Sequence, residues 1–442
     1  MSGYIPENIH VYIATDKNVR GQGIGKNLMQ HAIDSSQGDI ALDCESENPA
    51  IHLYRKLGFT SKYLEMQLKN KMSYITLNTS KLLHNYNYLN QLFEENHIEW
   101  AVVAKLLCGN EKFLKGLLEI SDKEVCDSRL TNLRHIKELS PKTKTIYIKP
   151  PAKWLARSIV KYADVSFNTE IDTIKALSNE AIEQNKIHKI VIMVEMGELR
   201  EGIMVKNLSQ FYGEAIKIPN IEIVGIGINL NCLNGILPDE KKLIRLNRFK
   251  EIIEESHQTK IPFISAGSSV TIPLLFKNKI SEGINHFRVG ETLFFGTDVY
   301  NDSTIQGMHQ DVFQMTAEII EIVEKPMIPA GDAGTNLTGE IPIHDDINKG
   351  KTSVRAILDV GILDIDPKHL QPISSGIEII GASSDMMILD LADNSKDYHV
   401  GDTIDFSMNY MAVLRAMNSE YVDKVIDNKI NPKHFKILEH SN

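Results

Sequence analysis

The sequence predicts an α/β fold in which a (β/α)8 barrel is followed by a smaller antiparallel β-domain and preceded by a partial α/β segment. The chain has 442 residues, which is about three typical domain lengths. Short apolar runs alternate with helical patterns over 72–302, as is typical of βαβ units around a parallel sheet. Over 303–442 the runs become short and alternating, with Gly, Pro and Asp between them, which indicates antiparallel strands.

Composition excludes several classes of protein. The 48 Lys and Arg residues against 58 Asp and Glu residues leave a net charge of −10, so no overall basic field exists to hold a nucleic acid. No apolar tract approaches the roughly 18 residues that a membrane helix needs. The first residues lack the basic and apolar regions of a secretory signal, so we expect a cytoplasmic protein.

The four cysteines are scattered, and none belongs to a CxxC pair. Cysteines 44, 108, 126 and 232 are therefore expected to be reduced thiols without a disulfide framework. No cluster of Cys and His with the spacing of a structural metal site occurs, so no metal is expected.

The first segment, 1–69, contains a glycine loop that follows a strand-like stretch and opens an apolar-periodic helix. The loop includes Arg20, Gly23 and Gly25. Backbone amides at the start of a helix, freed of Cβ obstruction, form a cradle suited to a pyrophosphate. A Gly-x-Gly pattern alone is weak evidence for such a site.

A second motif over 48–59 strengthens the interpretation of this segment. The two motifs together resemble the acetyl-CoA motifs of the GNAT N-acetyltransferases, which implies acetyl-CoA contacts at the glycine loop and at Asn48. Tyr54 stands where that family often has a general acid. The family needs several strands and helices before the glycine loop, and fewer than twenty residues precede it here. The segment is therefore either a truncated remnant or a real CoA site that another chain or domain completes.

Eight strand candidates divide the second segment, and helical patterns with one apolar face lie between them. Eight such repeats within about 200 residues are what a TIM barrel requires, with its chemistry at the carboxyl ends of the strands. The candidates are 101–105, 124–128, 144–149, 163–168, 188–195, 221–230, 262–266 and 286–290.

Lys105 ends the first of these strands and has apolar residues on both sides. A lysine that is costly to bury in its charged form has a lowered pKa, and its amine becomes a nucleophile able to form an imine. The alternative is a lysine at a strand end whose ammonium reaches solvent.

From residue 72 to about residue 426 the chain resembles the alanine racemase-type enzymes, and within them the ornithine racemases most closely. The run 105–110, Lys-Leu-Leu-Cys-Gly-Asn, resembles the segment in which that family's lysine holds pyridoxal 5'-phosphate (PLP) as an internal aldimine. The run 193–202 resembles the family's acid-x-Gly-x-x-Arg-x-Gly segment, which implies that Arg200 helps to orient lysine and substrate.

Two further segments carry the same resemblance. The run 264–269 resembles the serine-bearing phosphate loop, with Ser268 and Ser269, although these could simply be turn residues. The run 287–291 resembles the family's Arg-x-Gly segment, which implies that Arg288 contacts the pyridine nitrogen while the amides of Gly290 and Glu291 hold the phosphate. All four segments fall at predicted strand ends.

The resemblance implies a racemisation in which PLP makes the Cα proton acidic and two protein groups exchange it. Lys105 is one of these groups. In alanine racemases the other is a tyrosine from the partner's β-domain, and the corresponding stretch here, 327–340, contains no tyrosine. Asp332 in that stretch and Tyr410 are the candidates. Asn229 stands where alanine racemases have a histidine near the cofactor, a second departure that favours the ornithine type.

The leading hypothesis is therefore a PLP-dependent racemase of ornithine or another basic amino acid. A side-chain ammonium needs a carboxylate partner, and Glu198, Glu201 and Asp385 are the candidates. The family completes each site with a neighbouring β-domain, which implies a homodimer. The rival hypotheses are a non-catalytic PLP-binding protein, a lyase or decarboxylase on the same scaffold, and a racemase with an additional CoA-dependent acetyltransferase.

Overall fold

The computed structural model describes residues 8–10, 22–38, 40–42, 48–60, 73–336, 339, 341, 346–391 and 393–427. These residues fall into two compact units, divided between Asn70 and Lys71. Within the described residues, no helix combines the length and apolar character that crossing a membrane requires.

Among its described residues, the first unit contains two short parallel strands and two helices. The strands Asn8–His10 and Ile40–Leu42 pair with each other. The helices are Ile24–Asp34 and Ile51–Lys56. Gly23 precedes the first helix with a φ of 82°, a left-handed conformation that glycine adopts without steric cost. The glycine loop therefore ends at a helix N-terminus, as its sequence predicts.

Eight parallel strands close into a barrel, which confirms the predicted fold class. Each strand pairs with its neighbour in sequence order, and the eighth pairs with the first through His286 and Glu99. A short extra strand, Ile203–Met204, pairs in parallel with the carboxyl end of the fifth strand. The barrel strands are Glu99–Val103, Val125–Asp127, Thr145–Tyr147, Val165–Asn168, His188–Glu195, Ile221–Gly227, Phe263–Ser268 and His286–Val289.

Helices surround this barrel because each has one apolar face and a polar start. In the helix Glu240–His257, for example, Leu243 and Leu246 are fully buried, and the Asp239 carboxylate caps the first turn by accepting from the Lys242 amide. The α-helices of this region are Thr79–Glu95, Glu111–Ile120, Leu130–Leu139, Ala156–Tyr162, Ile171–Glu183, Leu208–Ala215, Glu240–His257, Ile272–Phe276 and Glu291–Phe295. Short 3-10 turns occupy Lys105–Leu107, Lys153–Leu155, Val205–Asn207 and Ser269–Thr271.

Apolar side chains fill the interior of the barrel. They form a cluster separate from the larger core under the helices. The cluster contains Ala101, Val103, Cys126, Ile146, Phe167, Val191, Met193 and Val224. Because the interior is packed, polar chemistry is confined to the ends of the strands.

After the barrel, the second unit continues into an antiparallel sheet with one long central strand, Phe313–Pro326. Its first half pairs with Thr403–Met408 and its second half with Thr352–Leu358. The other strands of this sheet include Leu370–Pro372, Glu378–Ala382, Met387–Asp390 and Asp423–Asp427. Thr297–Asp298 and Ser303–Thr304 form a separate antiparallel pair. The helix Tyr410–Asn418 and the 3-10 turns Asp346–Asn348 and Pro367–His369 complete this part of the unit.

The position of the strand Tyr74–Asn78 differs from the sequence prediction, in which this strand belongs to the barrel segment. It pairs antiparallel with Phe313–Pro326 and parallel with Asp423–Asp427, so it belongs to the antiparallel sheet. Ile75 and Leu77 are fully buried while the residues between them are half-buried, as in a strand that packs on one face. The division of the chain into domains 1–69, 72–302 and 303–442 remains a proposal. In that division the strand lies in the second segment by sequence but pairs with strands of the third.

Candidate active site

A cavity of about 570 Å³ lies at the carboxyl ends of the barrel strands. This is the end of the barrel at which enzymes of this architecture place their chemistry. Ten of the residues that the sequence singles out line it. They are Lys105, Arg200, Glu201, Asn229, Ser268, Ser269, Arg288, Gly290, Glu291 and Tyr410.

Lys105 lies at the start of a 3-10 turn that follows the first barrel strand. Leu106 and Leu107 are buried and anchor this turn, while the lysine side chain itself is exposed at the cavity. The apolar neighbours seen in the sequence therefore lie beneath the turn and do not enclose the amine. The amine is accessible to a molecule in the cavity.

Asp127 ends the second barrel strand and is fully buried. Its carboxylate accepts hydrogen bonds from the Arg129 amide at 2.7 Å and from Asn132 Nδ2 at 3.1 Å. Burial raises the pKa of Asp127 to about 6, although these hydrogen bonds and the charge of Lys105 act in the opposite direction. Asp127 was not among the residues predicted from the sequence, where its only signal is an acid at the end of an apolar strand.

Arg200, Glu201 and Asn229 form a hydrogen-bonded group on the side of the fifth and sixth strands. The guanidinium of Arg200 donates through Nε and Nη2 to the carboxylate of Glu201. Asn229 Nδ2 donates to the same carboxylate at 3.3 Å. The hydrogen bond to Glu201 raises the pKa of Arg200 above its ordinary value. Arg200 is 37% exposed, which leaves its outer face open to the cavity.

Glu198 does not line the cavity, contrary to the expectation that it contacts a substrate. It is 1% exposed, and its carboxylate accepts hydrogen bonds from five backbone amides of the loop 231–236. Burial alone would raise the pKa of Glu198, but these amides outweigh it and lower the pKa to about 2. Because both oxygens are engaged, Glu198 holds the loop and has no capacity left for a ligand.

Arg288 lies on the eighth strand with 6% of its surface exposed. Nη1 donates to the carbonyl oxygen of Ser265 at 2.7 Å and also to its hydroxyl, and Nη2 donates to the carbonyl oxygen of Ile228 at 2.7 Å. The guanidinium also lies over the ring of Phe167, 5.1 Å from its centre. These contacts fix the guanidinium in place at the wall of the cavity.

The loops after the seventh and eighth strands are tied together. Ser269 Oγ accepts from the Thr292 amide at 3.2 Å, and Ser268 caps the turn that it begins.

Burial raises the pKa of Glu291, an effect that the charge of Lys105 partly offsets. Burial, together with the charge of Glu291, raises the pKa of Tyr410 to about 12, so this phenol is a neutral donor at ordinary pH.

Two predicted residues lie away from this cavity. Asp332 and Asp385 are exposed, and neither lines it. Asp385 accepts hydrogen bonds from Ser383 and Ser384 within its own turn.

The predicted acetyl-CoA residues of the first unit are described only in part. Gly23 precedes the helix Ile24–Asp34 and Gly25 lies in its first turn, while Asn48 accepts a hydrogen bond from the Ala50 amide at 3.0 Å. The Tyr54 ring packs edge-on against Phe59. Arg20 lies outside the described residues.

The cavity offers an accessible amine, a fixed guanidinium and hydroxyl-bearing loops on neighbouring strand ends. Such a site can hold a phosphorylated aldehyde, with the amine forming an imine and the loops contacting the phosphate. Among the described residues, no group of three or more His, Cys, Asp and Glu side chains is placed to hold a metal ion.

Comparison with known proteins gives consistent matches. Residues 77–298 match the family described as "Alanine racemase, N-terminal domain", and residues 2–61 match the "Acetyltransferase (GNAT) domain". An ornithine racemase of Acetoanaerobium sticklandii is 38% identical over 351 residues, which is 79% of this chain and 98% of the relative. A lysine racemase of Thermotoga maritima is 31% identical over 356 residues, covering 80% of this chain and 99% of the relative.

Solved structures show the same fold. An alanine racemase of Clostridium difficile 630 superposes with a TM-score of 0.65 at 15% identity, over 82% of this chain and 97% of that one. An alanine racemase of Bartonella henselae with covalently bound pyridoxal phosphate gives a TM-score of 0.62 at 15% identity, over 80% and 99% of the two chains.

Proposed function

The chain belongs to the alanine racemase family and is an amino-acid racemase, for which we propose a PLP-dependent reaction on ornithine or another basic amino acid. The observation that carries the proposal is the convergence of Lys105, Arg288 and the loop of Ser268 on one cavity. These residues come from the first, eighth and seventh strands, which are neighbours in the closed barrel.

The residues at the cavity fit PLP. Four cationic side chains and two carboxylates line it, an excess of positive charge that suits a phosphate. They are Lys105, Lys149, Arg200, Arg288, Glu201 and Glu291. Arg288 uses Nη1 and one N–H of Nη2 for protein contacts, so Nε and the second N–H of Nη2 are left to face a ring nitrogen.

Each residue has a distinct part in the proposed reaction. When bound, PLP draws electron density from the substrate Cα and makes its proton acidic. The amine of Lys105 would hold the cofactor covalently, and its Nζ would accept or return a proton during the reaction. Arg200 binds and orients the substrate carboxylate. Arg288 would donate a hydrogen bond to the ring nitrogen without protonating it, because a guanidinium does not give up its proton, and this would disfavour side reactions such as transamination.

The substrate class follows from the carboxylates and from the two relatives. The named relatives act on ornithine and on lysine, whose side chains both end in an ammonium group. Glu201 and Glu291 line the cavity and can partner that ammonium. We no longer propose Glu198 for this role because five amides already engage its carboxylate.

We further propose that the enzyme is a homodimer with shared sites. Asp332 and Asp385 are exposed and do not line the cavity of their own chain, so they would reach a site in the cavity of a partner chain. Of the two candidates for the second base named from the sequence, Asp332 therefore depends on dimerisation, whereas Tyr410 does not. Sedimentation at decreasing protein concentration, with activity measured in parallel, tests this proposal. An active monomer contradicts it.

Incubation of the holoenzyme with L-ornithine in deuterium oxide tests the function. We expect deuterium at Cα together with loss of optical rotation, because removal of the proton on one side and delivery on the other produces both. Release of carbon dioxide or ammonia would instead indicate a decarboxylase or lyase. Retention of the Cα proton and of full optical rotation would overturn the proposal.

A second activity is supported by the GNAT match over residues 2–61. We propose that this unit binds acetyl-CoA at the loop of Gly23 and Gly25. Calorimetric titration of the full chain with acetyl-CoA tests the binding, with the Gly23→Asp variant as control because its carboxylate repels a pyrophosphate. If the unsubstituted chain releases no heat of binding, the proposal is wrong and the unit is a remnant of an acetyltransferase domain that does not bind acetyl-CoA.

A further inference from the structure

Racemisation needs two acid–base groups that reach the substrate Cα from two sides, and Lys105 supplies one of them. We propose that the thiol of Cys232 is the second, an inference that rests on the racemase function proposed above. Cys232 lines the same cavity as Lys105 and is exposed to it.

The order of strands in the barrel places these two residues on different sides of the cavity. Lys105 follows the first strand, Glu99–Val103, and Cys232 follows the sixth, Ile221–Gly227. The sixth strand is three positions from the first in a closed ring of eight, close to the maximum of four. A substrate in the cavity is therefore approached by the amine and the thiol from different directions.

The surroundings of Cys232 suit a group that gains and loses a proton. The Arg200 guanidinium lies close enough to Cys232 to interact with it electrostatically, so negative charge left on the sulfur faces a cation. Sγ also lies 3.6 Å from Asn229 Oδ1 and 3.6 Å from the Leu230 carbonyl oxygen. The backbone is held as well, because the Cys232 amide donates to Glu198 at 2.8 Å.

Other titratable residues at the cavity are less suited to this role. Glu291 follows the eighth strand, adjacent to the first, and the charge of Lys105 acts on it, so it lies on the side of Lys105. Tyr410 is influenced by Glu291 and has a pKa of about 12, which is far from neutrality. Glu201 is also less suited, because its carboxylate already accepts hydrogen bonds from Arg200 and Asn229.

The proton balance of the step is simple. With one enantiomer, the Cys232 thiolate removes the Cα proton and becomes a thiol, while the Lys105 ammonium returns a proton from the other side and becomes an amine. With the opposite enantiomer the two groups exchange roles. Exchange with solvent restores both groups after each turnover, and no oxidant or reductant is required.

The test compares the Cys232→Ser holoenzyme with the unsubstituted enzyme and with Cys108→Ser as the matched control. Cys108 is half-buried and does not line the cavity. We expect racemisation of ornithine by Cys232→Ser to fall by about 10²- to 10⁴-fold, the usual contribution of a general acid–base group. Cα deuteration should persist for the one enantiomer whose proton Lys105 removes. The absorbance of bound cofactor should be unchanged.

A second measurement does not depend on turnover. Iodoacetamide labelling followed by peptide mass spectrometry should alkylate Cys232, and ornithine should protect it, while labelling of Cys108 stays the same with and without ornithine. Racemisation by Cys232→Ser at the unsubstituted rate, or equal loss of deuteration for both enantiomers, would overturn the inference. So would enantiomer-selective deuteration by Tyr410→Phe or Asp332→Asn. If the unsubstituted enzyme fails to racemise, the proposed function fails first.

Discussion

The carboxylate of Glu198 accepts a hydrogen bond from the backbone amide of Cys232 at 2.8 Å, across a gap of 34 residues in the sequence. Four further amides of the same loop donate to this carboxylate. One buried side chain thus positions the segment that carries Cys232, and the loop after the sixth strand depends on a residue that follows the fifth.

Replacement of Glu198 by Gln should destabilise the protein by about 2–3 kcal/mol, because charge-assisted hydrogen bonds to buried amides are lost. The lowered pKa of about 2 means that this contribution is present above the ordinary glutamate pKa of about 4.3. It is lost as the pH falls from about 4 to about 2. Urea unfolding at several pH values measures it, with the exposed Glu222→Gln as control. Identical pH dependence in both variants would contradict this account.

Replacement of Lys105 by Ala should abolish covalent cofactor binding and measurable racemisation, because we assign the imine nitrogen to the amine of Lys105. Borohydride reduction of the unsubstituted enzyme followed by peptide mapping should place the cofactor on Lys105. A second lysine, Lys149, lines the same cavity and should remain unmodified. A label on Lys149 would refute the assignment.

Replacement of Arg288 by Ala should lower the free energy of unfolding by about 2–3 kcal/mol, because the carbonyl oxygens of Ser265 and Ile228 lose a charged donor. The free energy of unfolding of Arg288→Lys should lie between those of the unsubstituted protein and Arg288→Ala, because lysine keeps the charge but lacks the planar, forked donors of a guanidinium. Urea unfolding measures these effects. The exposed Arg157→Ala variant is the control, and equal stability of Arg288→Ala and Arg157→Ala would show that the buried contacts contribute nothing.

Asp127 should make the protein less stable as the pH rises through the acid range. Its pKa of about 6 lies above the unfolded value of about 3.9, so the folded state binds the proton more tightly. Stability from this group is complete below about pH 4 and declines up to about pH 6. Asp127→Asn should remove that decline, which urea unfolding between pH 4 and pH 7 detects. An unchanged slope would mean that another group causes it.

Replacement of Glu201 by Gln should reduce kcat/KM for ornithine about tenfold relative to that for alanine, equivalent to about 1.4 kcal/mol of lost ion pairing. The ratio is the useful quantity, because Glu201 also binds Arg200 and its loss affects both substrates through the carboxylate contact. Glu291→Gln is the matched comparison. If the ratio moves only in Glu291→Gln, the ammonium lies on the opposite side of the cavity.

Much of the barrel could be predicted because burial leaves a local record in the sequence. Strands buried on both faces appear as apolar runs, and helices with one buried face show apolar residues at helical spacing. Because these apolar runs mark where the strands lie, Lys105, Arg200 and Arg288 could be placed at or near strand ends. The sequence therefore located the cavity-lining side chains, although their assigned roles remain predictions.

What the sequence could not show depends on contacts between distant residues. The alternation of Ile75 and Leu77 indicates a half-buried strand but not its neighbours, which begin at Phe313 and Asp423. The acid at Glu198 resembles a site residue until the amides of a later loop are seen to converge on it. Exposure of Lys105 likewise follows from the turn that the chain makes after its strand, which apolar flanks do not reveal.

The strand Tyr74–Asn78 lies between the long strand Phe313–Pro326 and the strand Asp423–Asp427. During synthesis on the ribosome it emerges early, yet both of its neighbours emerge only after every barrel strand has been translated. The nascent barrel must therefore form beside an unpaired β-edge, the kind of edge that chaperones shield from aggregation.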